Sequence, residues 1–289
     1  MAFPTARRRD RNVRRTSGPP TTPPAMRDTI SGLSALAGAA NVIMQLSWLP
    51  VGHGVAESRV DSGRLDLHPL KRTRTTFSYV MVAMLGTDEE RAAMRREVNR
   101  AHRRVHSRPG DPVRYNAFDP ELQLWVAACL AWGMADVYAK LWGEPDDATA
   151  EAMYRHSARF GTTLQVPEDM WPPDRAAFEE YWRRALTRVE MDDTTRAYLR
   201  DFAALGFLPK PLRAALGPFN LFMTAGFLPP LFREKLGLPW TPGHQARFDR
   251  TVRTLATINR TLPRPVREFP WNLYWRDLRH RIHTGRPIV

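Results

Sequence analysis

The stretch TDEERAAMRREVNRAHRRVHSRPG, residues 87–110, has the spacing of one amphipathic helix followed by a break. Its apolar residues recur with the period of a single helix face. They are Met94, Val98, Ala101 and Val105. Thr87 with three acidic residues after it is typical of a helix start, and Pro109–Gly110 ends the pattern. The stretch therefore predicts a helix that runs from Asp88 to about Ser107.

Similar spacing recurs along the chain, and no segment alternates apolar and polar residues as a half-buried strand does. Prolines and glycines separate the predicted helices. Besides the first stretch, these helices cover Leu33–Leu49, Leu70–Leu85, Pro120–Gly143, Ala148–Thr163, Asp174–Val189, Thr194–Leu205, Pro211–Phe227, Pro242–Leu262 and Trp271–His283. Pro50 and the glycines at 52 and 54 are predicted to break the chain into a structured loop over Val51–Leu67. The predicted fold class is all-α.

One domain accounts for most of the chain. The 289 residues are 43% hydrophobic and include nine tryptophans, which is enough for one substantial core. The net charge of +13 is uneven, because residues 1–27 hold seven arginines and one aspartate among prolines, serines and threonines. Such a composition is typical of disorder. We therefore predict a disordered arm over residues 1–27 and a helical domain over residues 28–289.

The sequence favours a cytoplasmic location. Cys129 is the single cysteine, so an internal disulfide is excluded and a reducing compartment fits. The paired arginines near the N-terminus precede the polar segment Ser17–Pro24 and not the apolar core of a signal peptide. Leu33–Leu49 is short and carries polar residues, so we expect a buried helix and no membrane span. The basic arm predicts weak peripheral association with anionic surfaces, without a specific nucleic acid partner.

Histidine supplies the candidate chemistry, because the sequence lacks the common motifs of nucleotide binding, zinc proteolysis and serine hydrolysis. His102 lies four residues after Val98 and three before Val105, so its imidazole adjoins the predicted buried face. A neutral imidazole in that place is able to ligate iron. On spacing alone, a core histidine held by a hydrogen bond is the favoured interpretation. A divalent-metal pair with His106 is a further alternative, although no Cys, Asp or Glu nearby completes a tetrahedral ligand set.

Further motifs follow one another in a fixed order. They are NVIMQLSWLP at 41–50, GVAES at 54–58, RTRTTFSY at 72–79, GT at 86–87, NRAHRRV at 99–105 and YNAFDPELQLWV at 115–126. A weaker C-terminal part consists of TAGFLPP at 224–230 and LPW at 238–240. In order and spacing the series resembles the catalytic domain shared by rubber oxygenases (latex-clearing proteins) and the oxygenase of the fungal mycophenolic acid pathway. The resemblance extends over most of the predicted domain.

The resemblance implies a b-type haem within the fold. The family binds the iron through a histidine in a His-x-x-Val motif, which here is His102 with Val105. His106 is the main rival as the ligand. The implied architecture is a single multi-helix orthogonal bundle that encloses a haem pocket.

The resemblance also implies residues on the open side of the haem. Arg72 and Thr76 match an arginine and a threonine of the family, and Glu57 is the nearest counterpart of an acidic residue implicated in its chemistry. Latex-clearing proteins carry a lysine just before that threonine that can cap the iron, whereas this chain has Thr75, so a lysine-capped state is not expected. Without the resemblance, Arg72 is a solvated helix start, Thr76 bonds to its own helix, and Glu57 caps a helix or pairs with an arginine.

Together these matches imply a haem-dependent oxygenase that acts with O2 on an apolar, unsaturated small molecule. The expected reaction is oxygen insertion into, or cleavage of, a carbon–carbon double bond, with Arg72 and Thr76 polarising the oxygen. Two alternatives stay open. One is a haem carrier or sensor on the same scaffold, and the other is a basic helical module that binds nucleic acid or anionic membrane through the arm and the helix at Arg247, Arg250 and Arg253.

Overall fold

The computed structural model of the protein describes residues 21–57 and 69–289. Over these residues it consists of helices, turns and loops, without a strand. The helices are α1 Pro24–Asp28, α2 Gly38–Leu46, α3 Leu49–Ala56, α4 Pro69–Leu85, α5 Asp88–His102, α6 Pro120–Trp142, α7 Asp147–Ser157, α8 Arg159–Thr162, α9 Arg175–Leu186, α10 Asp193–Ala203, α11 Lys210–Phe227, α12 Pro230–Leu236, α13 Pro242–Thr261, α14 Arg264–Arg267 and α15 Trp271–Thr284. The all-α prediction is confirmed.

Helix α6 is the central element. Trp125 and Cys129 on one side belong to a core formed with α2, α10, α11 and α13. Leu124 and Leu130 on the opposite side belong to a second core, formed with α1, α4, α7 and α15. A helix that is buried on two sides has little polar surface, which explains why its sequence is apolar nearly all round.

Helix α6 is also long and apolar enough to cross a membrane by length and composition, but more than half of its most apolar window is buried inside the domain. The segments Ser34–Leu46 and Leu49–Ala56 pass the same test only when taken together, and they are bent by 113°. The described part of the chain therefore contains no clear membrane span, and α6 is the core helix of the fold.

The predicted helix Leu33–Leu49 is divided by that bend. A 3₁₀ turn, Ser34–Ala37, leads into α2, and the chain changes direction at Ser47 and Trp48 before α3 begins. The Trp48 ring stacks on Trp125 with centroids 4.8 Å apart and planes 2° from parallel, and its Nε1 donates to the Ala185 carbonyl at 3.1 Å. These long-range contacts fix the bend, so the local pattern did not predict it.

Pro50 and the glycines at 52 and 54 lie inside α3, so the predicted break at these residues is wrong. Proline is compatible with the first helical turn, where its missing N–H is not needed. A Cβ at Gly52 would lie 2.9 Å from Thr195 Cγ2, and one at Gly54 would lie 3.3 Å from the Tyr115 ring. Glycine therefore allows α3 to pack closely on α10 and on the loop that carries Tyr115. The end of the predicted loop, from residue 58, lies outside the described residues.

Helix α5 ends at His102, five residues before its predicted end. Beyond it the chain pairs with the segment that leads into α6, because Ala117 N donates to Val105 O and Ser107 N donates to Tyr115 O, both at 2.9 Å. These bonds form one isolated antiparallel bridge, between His106 and Asn116. Backbone groups paired in this way are not available to continue the helix.

The end of the predicted arm is packed against the domain. Thr22 donates its hydroxyl proton to the Met84 carbonyl at 3.0 Å, and α1 follows directly. Met26 in α1 is fully buried, and Ala25 is 6% exposed. The packed domain therefore begins before residue 28. The predicted boundary rested on the charge of residues 1–27 and did not take account of the apolar Ala25 and Met26. Residues 1–20 lie outside the described residues.

Replacing Met26 by alanine is expected to lower the free energy of unfolding by about 2–4 kcal/mol, because the change leaves a cavity in the second core. Leu212→Ala is the control, since Leu212 is 50% exposed and its truncation opens no cavity. Urea denaturation of both variants gives the comparison. A loss at Met26 no larger than the loss at Leu212 would show that α1 does not contribute to the core.

Candidate functional site

His102, the last residue of α5, has an unusual environment. Its Nδ1 is buried and has no hydrogen-bond partner among the described residues, and its ring meets the Phe118 ring edge to face at 6.2 Å. Burial, and after it the charge of Arg72, lowers the pKa of His102 to about 4. The ring is therefore neutral at pH 7. A neutral imidazole with an unsatisfied nitrogen is costly for the protein and is suited to receive a ligand.

Arg72 lies on α4, which packs against α5. Burial lowers the pKa of this arginine, and Tyr198 on α10 acts in the opposite direction. The Arg72 guanidinium thus interacts electrostatically with His102 on one neighbouring helix and with Tyr198 on another. The structure therefore brings together two residues that the sequence had singled out, Arg72 and His102, and adds Tyr198.

The two threonines after Arg72 use their hydroxyl protons within α4. Thr75 donates to the Lys71 carbonyl at 3.0 Å, and Thr76 donates to the Arg72 carbonyl at 3.1 Å. Their oxygens remain available as acceptors only, as long as these bonds persist. Thr76 thus bonds to its own helix, as the sequence predicts for a threonine without a catalytic role.

His106 is separated from the helix that carries His102. It is exposed in the loop after α5, with Nδ1 3.3 Å from the Ser107 carbonyl oxygen. The two histidines therefore do not share one buried helix face, as the predicted longer helix required. Within residues 21–57 and 69–289, no group of three or more His, Cys, Asp or Glu side chains is arranged to hold a metal ion.

Glu57 follows the last turn of α3 and contacts a buried histidine that the sequence analysis missed. Glu57 Oε2 lies 3.0 Å from His53 Nδ1, and His53 Nε2 lies 2.5 Å from Asp192 Oδ2. Asp192 is the N-cap of α10, where its other oxygen accepts the Thr195 backbone N–H at 2.8 Å. We call His53, Glu57 and Asp192 the carboxylate–histidine cluster.

The charges of this cluster stabilise one another. Burial alone would lower the pKa of His53, but its hydrogen bonds to Glu57 and Asp192 outweigh burial and raise it. Burial raises the pKa of Asp192, and the bonds from Thr195 and His53 more than offset this and lower it. A histidine flanked by glycines was the only local signal, and no sequence pattern joins residues 53 and 192.

The lowered pKa of His102 predicts a loss of stability in weak acid. The unfolded chain binds a proton on this ring near pH 6.5, whereas the folded protein does so only near pH 4. The free energy of unfolding of the wild type, minus that of His102→Gln, should be level above pH 6.5. It should then fall by at most about 1.4 kcal/mol per pH unit between pH 6.5 and 4.

Urea denaturation from pH 4 to 8 measures this difference. His106→Gln is the matched control, since that exposed ring should leave the pH dependence of the wild type unchanged. A difference between the wild type and His102→Gln that stays constant with pH would refute a buried, neutral His102.

The whole domain is similar to known proteins. The profile of a family described as "ER-bound oxygenase mpaB/B'/Rubber oxygenase, catalytic domain" matches residues 27–257. "Uncharacterized protein Mb2261" of Mycobacterium bovis and "Uncharacterized protein Rv2237" of Mycobacterium tuberculosis are each 52% identical over 254 residues, which is 88% of this chain and the full length of theirs. No solved structure matches the chain significantly. The chain therefore belongs to the mpaB and rubber oxygenase catalytic-domain family, as its ordered motifs had indicated.

Proposed function

We propose that the protein is a haem b-dependent oxygenase in which His102 is the protein ligand of the iron. Membership of an oxygenase family supports the reaction class. The single observation that carries the assignment of the ligand is the neutral, half-buried His102 ring, whose Nδ1 is buried and has no partner among the described residues. When bound, the haem supplies the O2-dependent redox chemistry, and the protein supplies binding, orientation and electrostatics.

The residues around His102 are the proposed contacts of the porphyrin. Phe118 presents an aromatic ring to the imidazole, and Met94 and Val98, on the same face of α5, are packed in a core with Val82 and Leu278. Arg72 adds a fixed positive charge nearby, because arginine stays protonated even when its pKa is lowered. Apolar walls with a few directed polar groups are typical of cofactor sites.

Four other residues have proposed roles around the substrates. The Arg72 guanidinium stabilises negative charge that develops on oxygen during the reaction, which is the effect of a preorganised donor. Thr75 and Thr76 line the wall of α4 and offer hydroxyl oxygens as acceptors, since their protons are bonded within the helix. Glu57 accepts a proton from the substrate, because its carboxylate is partly exposed and held by His53.

The proposed substrate is an apolar, unsaturated small molecule, with O2 as the second substrate. This class follows the name of the rubber oxygenases in the family. The single cysteine supports a location in the cytoplasm, and the net charge of +13 supports peripheral contact with anionic surfaces.

His102→Ala is expected to lose bound haem, whereas His106→Ala retains it, because residue 102 has a buried Nδ1 and residue 106 is exposed. The pyridine haemochrome assay gives the haem content per chain, and circular dichroism checks that both variants are folded. Equal haem content in the two folded variants would contradict the assignment. A wild-type protein that is colourless and cannot be reconstituted with haem would contradict the proposed function as a whole.

Arg72→Gln is expected to keep the haem and to release O2 from the reduced protein about 10-fold faster or more, because a charged hydrogen-bond donor is lost. Thr75→Val and Thr76→Val form a matched pair, since each loses a hydroxyl that bonds to its own helix. Both should change the release rate much less than Arg72→Gln does. Stopped-flow spectroscopy measures the rates, and an unchanged rate in Arg72→Gln would remove the role of Arg72.

A further inference from the structure

The imidazole of His53 is enclosed between two carboxylates. The residue is 3% exposed, and each ring nitrogen lies within hydrogen-bond distance of a carboxylate oxygen, on Glu57 at 3.0 Å and on Asp192 at 2.5 Å. Gly52 and Gly54 on either side of it permit the close approach of α10 and Tyr115. The position of the ring is therefore set by backbone packing, and the two carboxylates are bound to a fixed group.

Both contacts require a proton. A neutral imidazole has one N–H, so its second nitrogen would direct a lone pair at a carboxylate oxygen. At 2.5 and 3.0 Å, each contact is a hydrogen bond only if a proton lies in it. The cluster thus holds two protons between three groups, which corresponds to an imidazolium and two carboxylates, with a net charge of −1.

Glu57 and Asp192 are the charged groups that act on His53. Helix α2, which packs on α3, carries no ionisable side chain, and His53 is the only one within α3 itself. On α10, Asp193 is exposed and pairs with Arg196 at 2.7 Å. Among the described residues, Glu57 and Asp192 are therefore the groups that balance the charge of His53.

The two carboxylates of the cluster are held differently. Asp192 is bound through both oxygens, by His53 and by the backbone of Thr195, at the positive end of the α10 dipole. Glu57 is bound through Oε2 alone, and Oε1 has no hydrogen bond to a described residue. The Glu57 side chain is 41% exposed. Asp192 therefore anchors the ring, and the ring leaves Oε1 of Glu57 without a hydrogen bond to any residue of 21–57 or 69–289.

Helix α10 links the cluster to the residues around His102. Asp192 begins this helix, and Tyr198, two turns later, interacts electrostatically with Arg72. Arg72 in turn acts on His102. The same helix thus binds the histidine that holds the proposed proton acceptor, and its Tyr198 interacts electrostatically with the proposed oxygen-handling arginine.

We propose that His53 and Asp192 are positioning residues that hold the Glu57 carboxylate by one oxygen and leave Oε1 free to accept a proton from the substrate. The proposal rests on the function proposed for Glu57. In the step concerned, a C–H bond of the unsaturated substrate breaks and its proton bonds to Oε1. The C–H electron pair becomes a new C=C bond, and the electron pair of the old double bond forms a C–O bond to O2, the second substrate, which is reduced to a substrate-bound peroxide anion. The exposed side of Glu57 then releases the proton to water.

Nuclear magnetic resonance tests the coupling without turnover. The full-length protein is labelled with ¹⁵N in histidine rings and ¹³C in glutamate carboxyls, and any bound haem is kept diamagnetic as the reduced carbon monoxide form. His53→Gln and Glu57→Gln identify the two signals. From the two contacts we expect the His53 ring to be doubly protonated at pH 7.5, and the Glu57 signal to show a step at the pH at which His53 loses its proton.

Asp192→Ser removes the carboxylate and keeps a good N-cap for α10, so the helix is retained. It should move the His53 step and the accompanying Glu57 step together to lower pH. Asp146→Ser is the matched control, because Asp146 caps α7 through the backbone N–H of Thr149 in the same way and has no histidine partner. It should leave both steps where they are in the wild type.

A His53 ring with one proton at pH 7.5 would overturn the proposal. A Glu57 signal that does not respond to His53, or steps that stay in place in a folded Asp192→Ser variant, would do so as well. The haem assay is independent of these outcomes. Bound haem with an uncoupled cluster refutes the positioning role alone, whereas a coupled cluster in a protein that binds no haem refutes the proposed oxygenase function and with it the substrate for Glu57.

Discussion

The stack of Trp48 on Trp125 is the contact on which the geometry of the site depends. Trp48 is buried between the Trp125 ring and the Arg188 guanidinium, which lies 3.8 Å from its ring centroid. Such stacking contributes about 0.5–1.5 kcal/mol beyond the burial of area, and it also fixes orientation. Because α3 leaves α2 at this tryptophan, the stack determines where His53 and Glu57 lie relative to α10.

Trp125, the residue on which Trp48 stacks, is held in place because α6 is buried on two sides. Asn41 on α2 donates to the Cys129 carbonyl at 2.7 Å, and its side chain occupies the place where a Cβ of residue 133 would lie, so Gly133 permits the contact. Cys129 is fully buried, and burial raises the pKa of its thiol, which keeps it unreactive. The apolar character of α6 is therefore a consequence of its central position. The buried helix holds both Trp125 and α2 in place.

Local signals predicted the helices but not where tertiary contacts end them. The Thr87 capping box and the Asp119 N-cap define the starts of α5 and α6 as the sequence indicated. The bend at Trp48 and the end of α5 at His102 depend on partners far along the chain. The burial of Met26 depends on a second core that no local pattern shows. Helical periodicity and capping reflect contacts within one or two turns. The bend at Trp48, the end of α5 and the burial of Met26 are instead set by packing across the domain.

The same distinction applies to the site. His102 follows from a helical stripe together with the family's His-x-x-Val motif, both within one segment, whereas the contact between His53 and Asp192 joins residues 139 positions apart. The structure also explains why an arginine suits position 72. Its charge opposes protonation of His102 and so keeps the imidazole lone pair available for the proposed iron over the working pH range. Arg72, which the resemblance singled out for a role on oxygen, thus also acts on the proposed iron ligand.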